Sequence, residues 1–173
     1  MRKPITKWVI VAILISLVGY SGFATYNWLR AERVQSYAFN DVIYLADDSL
    51  VELSDMGLGA EYLIKPDTTD ELLRETITRY FSHARTLSYA SRVLRDLTND
   101  EKYQFFGTAM INLQLFLVDV SNERPDDMKE ILTTNFDIVK QMGDTLEGIF
   151  QIDNLTLADA TELLGLSRNL VSG

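Results

Sequence analysis

Residues 8–29, WVIVAILISLVGYSGFATYNWL, run for twenty-two positions without a charged side chain. Crossing a hydrocarbon layer about 30 Å thick takes about 20 mostly apolar helical residues, each contributing about 1.5 Å. The run is long enough to serve as a transmembrane anchor. Trp8, Tyr26 and Trp28 stand where an aromatic belt would meet the headgroups, and Ser16, Ser21, Thr25 and Asn27 can bond to the helix backbone or lie near an interface. Arg2, Lys3 and Lys7 precede the run while Arg30 and Arg33 flank Glu32 after it, a bias that predicts a cytoplasmic N-terminus. The expected order is therefore a short cytoplasmic tail (1–7), a single-pass anchor (8–29) and an extracytoplasmic domain (30–173).

A cleaved signal peptide is the competing reading, with a basic region to Lys7, an apolar region to about Val18 and Gly22-Phe23-Ala24 as the small-x-small site. Such an apolar region spans only about 7–15 residues, whereas this one continues through Leu29. Retention is the favoured expectation and secretion after cleavage the alternative. Both export the remainder; an inverted, cytoplasmic domain is the third arrangement.

Charge divides along the chain. Residues 1–33 carry five Lys/Arg and one Glu, leaving eleven of the sixteen basic and twenty-four of the twenty-five acidic residues to 34–173, a net of −13. So acidic a domain repels phosphate backbones, which excludes nucleic acid as the expected partner. The absence of cysteine removes disulfides and thiol chemistry, and fits an exported prokaryotic domain whose core suffices without cross-links. Asn154-Leu155-Thr156 matches a glycosylation sequon, a triplet too common to carry weight alone.

Helical periodicity fills the rest. Phe39, Ile43, Ala46, Leu50 and Leu53 recur at four, three, four and three, which predicts a helix over 30–56 closed by Gly57 and Gly59 and continuous with the anchor. Thr68 with Glu71 forms a capping-box pattern opening a helix over 69–97, whose stripe is Leu73, Ile77, Tyr80, Ala84, Leu87, Ser91 and Leu94. A third helix over 99–121 carries Tyr103, Phe106, Met110, Leu113, Leu117 and Val120, and its uncharged middle makes it the expected most buried helix. That middle, Phe105 to Val118, reaches only about 21 Å and contains Asn112 and Gln114, so it is not a second span. Pro125 suits the first turn of a fourth helix over 125–148 with stripe Met128, Leu132, Asn135, Val139, Met142, Leu146 and Ile149. A short fifth over 155–170 carries Leu157, Ala160, Leu163, Leu164 and Leu170. No strand alternation competes. The expected fold is all-α: an N-terminal transmembrane helix, then an up-and-down four-helix bundle with a short fifth helix.

Signals for chemistry are sparse. There is no phosphate-cradling glycine loop, no nucleophile elbow and no calcium-loop pattern, and with His83 the only histidine neither a zinc pair nor the two Glu-x-x-His sites of a di-iron bundle can be assembled. No enzyme activity, metal or cofactor is expected. His83 lies about 60–70° from the core stripe, where a boundary residue bonded to a neighbour is the bland reading and a pH-sensitive contact the functional one. Arg74, Arg85 and Arg92 fall within about 20° of one another on the second helix. They are expected to pair with carboxylates of adjacent helices, or else to receive an anionic ligand or acidic partner. Asp47-Asp48 is the acidic pair without a structural duty, and Asn135 is expected to fix register in the fourth seam.

With seven residues before the span and none returning after the bundle, a solitary receptor is not expected. The leading expectation is an anchored interaction module, a subunit or accessory factor of a membrane or envelope assembly, with a protein partner at the membrane and self-association left open. The alternative is a ligand-sensing helical domain that signals through a membrane partner, alike only in architecture to the four-helix extracytoplasmic domains of chemoreceptors.

Overall fold

A computed structural model describes residues 5–171, with side chains over 16–34 and 36–171. Those residues are helical, with no strand among them. The helices are α1 (Ile5–Ser54), α2 (Met56–Leu63), α3 (Asp70–Thr98), α4 (Glu101–Asn122), α5 (Pro125–Thr134), α6 (Phe136–Ile149) and α7 (Leu157–Ser167), with a 3-10 turn at Ile152–Asn154. The chain divides into two units, residues 1–40 and 41–173.

The first unit is the leading part of α1. Its described apolar side chains include Leu17, Val18, Tyr20, Phe23, Tyr26 and Trp28, all exposed. Among the described residues no helix is long and apolar enough to cross a membrane. The side chains of residues 8–15, the most apolar part of the expected anchor, lie outside those described.

The second unit is a helical bundle. α3 and α4 pack along their lengths, joined through Asn99 and Asp100, so they run antiparallel. α4 also packs on α7 and α5, and α6 on α2, α5 and α7. The stripes of α3, α4 and the α5–α6 segment are buried at every expected position, and Ala46, Leu50 and Leu53 join them from α1. Phe106 is the largest wholly buried side chain. Asn99 closes α3 in the left-handed region at φ 56°, where its short polar side chain is tolerated. Asp100 caps α4 by accepting from the Lys102 N–H. A reciprocal Thr156–Asp159 pair opens α7.

Several boundaries differ from the periodicity. Gly57 and Gly59 lie inside α2 rather than ending a helix, because other chains of atoms occupy the space a Cβ would need. At Gly57 a Cβ would lie 3.1 Å from the Lys140 Cα, and at Gly59 it would collide with the buried Tyr80 hydroxyl. α6 returns the compliment with Gly143, where a Cβ would stand 3.0 Å from both the Gly57 nitrogen and the Ser54 oxygen. Glycine here serves close approach, not chain reversal.

The cap of α3 is Thr69, whose hydroxyl accepts from the Leu72 N–H, while the buried Thr68 donates instead to the Tyr62 carbonyl at 2.8 Å. The expected fourth helix breaks at Asn135. Its amide donates to the Ile131 carbonyl at 2.8 Å and to the Val171 carbonyl at 2.8 Å, and accepts from the Val171 N–H at 2.9 Å. Such side-chain bonding to the main chain competes with helix continuation, so Asn135 pins the terminal segment as well as facing the core. Leu157, expected in the α7 stripe, is 48% exposed, and Ile152 and Leu155 fill the core in its place. α4 is central but not sealed, since Ile111 and Leu115 are exposed.

Candidate functional site

α3 carries the residues singled out for function, and the neighbours it packs on decide what each does. His83 faces α1, with its Nδ1 3.3 Å from the half-buried pair's other member, the Ser49 hydroxyl. That is a boundary hydrogen bond between two helices, with no carboxylate in the contact.

The three arginines share a side of α3 but not a task. Arg74 donates to the Ser121 carbonyl at 2.8 Å and the Glu123 carbonyl at 2.9 Å, satisfying acceptors that the end of α4 leaves without intrahelical partners. A guanidinium at a helix C-terminus is also favoured by the dipole. Arg85 lies over the Tyr89 ring, 5.6 Å from its centroid. Arg92 is exposed and makes no ion pair or side-chain hydrogen bond among the described residues. The expected pairing with carboxylates of adjacent helices is therefore not the arrangement found. None of the three lines the depression where α3 turns into α4 or the one between α4 and α7.

Two depressions lie elsewhere on the bundle. One of ≈ 670 Å³, open to solvent, lies where α3 turns into α4 and is lined by Arg95, Asp96, Asn99, Asp100, Glu101 and Gln104. Arg95 is already paired with Asp96 at 2.7 Å, and Asp100 is engaged as a cap. Another of ≈ 340 Å³ lies between α4 and α7, where Asn112 donates to the Ser167 hydroxyl at 3.1 Å. Among the described residues no group of three His, Asp or Glu is placed to hold a metal ion.

No family model, curated protein or solved structure matches this chain.

Perturbed ionisations fall on structural groups. Burial pushes the Tyr80 phenol above its ordinary value, partly offset by Arg79, and burial does the same to Tyr103. The hydrogen bond that Arg124 donates to the Asp127 carboxylate pushes the guanidinium above its ordinary value at the start of α5.

Asp47 was missed by the sequence. Its carboxylate accepts from the Ile152 N–H at 2.7 Å, capping the 3-10 turn across 105 positions of sequence, whereas Asp48 beside it is exposed. Asp47→Ala is expected to destabilise the bundle by about 1–2 kcal/mol and Asp48→Ala by under about 0.5 kcal/mol. Equilibrium denaturation of the two variants in one detergent checks the difference; equal losses would contradict the assignment.

Proposed function

We propose that this protein is a membrane-anchored interaction module, a subunit or accessory factor of a membrane or envelope assembly, and not an enzyme. The observation that carries the reading is the leading stretch of α1: no charge from Trp8 to Leu29, and large apolar side chains exposed around the whole helix from Leu17 to Trp28. A helix apolar on every side is stable in lipid or buried in protein, not in water. The basic residues before it favour an N-terminus on the cytoplasmic side, with the acidic bundle outside.

The bundle supports a binding role over a chemical one. Its polar side chains in the core are engaged in structure, as with Ser91 bonded to the Leu87 carbonyl at 2.6 Å, while exposed apolar residues sit among charges on its outer faces. Cross-linking in intact cells followed by purification of the tagged full chain from mild detergent is expected to recover a membrane or envelope protein in fixed ratio. Recovery of the chain alone, with neither a partner nor further copies, would overturn the proposal.

A further inference from the structure

The outer face of α1 and α2 carries two interleaved rows at seven-residue spacing. Tyr44, Val51 and Leu58 form one, and are 75%, 53% and 72% exposed. Asp41, Asp48 and Asp55 form the other, each three residues before an apolar member, each exposed, and none paired among the described residues. Asp55 stands before α2 without using its side chain as a cap. Within α1, seven-residue spacing keeps Tyr44 with Val51, and Asp41 with Asp48, on one face about 10.5 Å apart, while Asp55 and Leu58 lie past the end of α1 at Ser54. The result is an apolar ridge edged by a line of carboxylates.

A surface of opposite sign lies on α3 and α4. With Arg74 committed to the end of α4, the members of the row without an ion pair among the described residues are Arg85, over the Tyr89 ring, and Arg92, also seven residues apart and so also about 10.5 Å apart. Arg74 against Ser121 and Ser91 against Gly107 fix the antiparallel register, which sets the exposed Ile111 of α4 level with the Arg85 turn. Tyr89 and Leu115, 55% and 56% exposed, extend the apolar part. Both surfaces thus combine an apolar strip with charges at one common repeat, and the charges are opposite.

From this match we infer that the bundle associates with a second copy of itself, the Asp41–Asp48 ridge of one copy lying on the Arg85–Arg92 row of the next. Ridge on ridge would set aspartates against aspartates, and row on row would set arginines against arginines; only ridge on row places unlike charges together. Such an interface closes as a two-fold pair where each copy gives both surfaces to the same partner, and otherwise leaves one ridge and one row free and builds rings or chains of copies. The inference rests on the reading of the domain as an interaction module and names one of its partners.

The test is a charge exchange in the full-length chain in detergent micelles. The double variant Asp41→Arg/Asp48→Arg and the double variant Arg85→Glu/Arg92→Glu are each expected to lose self-association by at least about ten-fold, because each meets its own kind across the interface. An equimolar mixture of the two is expected to recover association to near the parent's, and the parent's association to weaken as salt rises from about 50 to 500 mM. Sedimentation equilibrium reads all four samples. Circular dichroism checks that both variants keep the parent's helicity, and Asp41→Asn/Asp48→Asn with Arg85→Gln/Arg92→Gln replaces any reversal that does not fold. A monomeric parent, variants that associate as the parent does, or a mixture that fails to recover would each overturn the inference. A monomeric parent that still co-purifies with another membrane protein would remove the second copy and leave the interaction module standing.

Discussion

Phe106→Ala is expected to destabilise the bundle by about 3–5 kcal/mol, the largest loss for any single truncation in the chain. Phe106 is 0% exposed and is the second member of the α4 stripe, with Met110 and Leu113 on the following turns equally sealed. Truncating the ring removes its transfer free energy and leaves a void that long, mutually packed helices cannot close by small movements. For a domain of this size the loss corresponds to a fall of roughly 10–20 °C in melting temperature. Ile111, five positions along the same helix, is 47% exposed, and Ile111→Ala should stay within about 1 kcal/mol of the parent. Thermal melts of the full chain in one detergent, followed by circular dichroism, separate the two. Equal shifts would mean that α4 is not seated as described.

The second large effect comes from adding one methyl group. Gly143 and Gly148 both lie in α6, and by helix propensity alone alanine at either should stabilise by about 1 kcal/mol. At Gly148 nothing stands within 4 Å of the new Cβ, so that gain is expected in full. At Gly143 the new atom would stand 3.0 Å from the Gly57 nitrogen and the Ser54 oxygen, both main-chain atoms that cannot rotate aside. Relief requires the α1–α2 junction to move away from α6, with a net loss of about 1–3 kcal/mol. Denaturant titration should therefore give opposite signs for Gly143→Ala and Gly148→Ala. A stabilised Gly143→Ala would show that the close crossing of α2 and α6 is absent.

These cases also show where sequence reasoning reached and where it stopped. Stripes such as Leu73–Ile77–Tyr80–Ala84 are legible because helix period and burial are local, written into one stretch of chain. Gly57 and Gly59 resembled a helix end because the same residue serves a left-handed cap and a close crossing, and only Lys140 and Tyr80, far along the chain, tell which. Asp47 looked idle for the same reason, since its duty lies at Ile152. The stripe places Asn135 in the core, where it lies, but the two-way bond to Val171 at the helix break depends on where the terminal segment lies. Among the site candidates, His83 found a neighbour across a helix interface as its position beside the stripe implied. The arginine row was visible as a row, yet its division into one helix-capping member and two outward ones depends on the register between α3 and α4.

The proposed role requires the uncharged run from Trp8 to Leu29 to fix the acidic bundle to a bilayer from the outer side. Washing membranes with alkaline carbonate, then treating intact spheroplasts or right-side-out vesicles with protease, tests it most directly. The full-length chain should stay in the washed membrane pellet, and protease added outside should digest the bundle while sparing a short anchored fragment. Full-length chain released by the carbonate wash, or a bundle digested only after the membrane is broken, would contradict it.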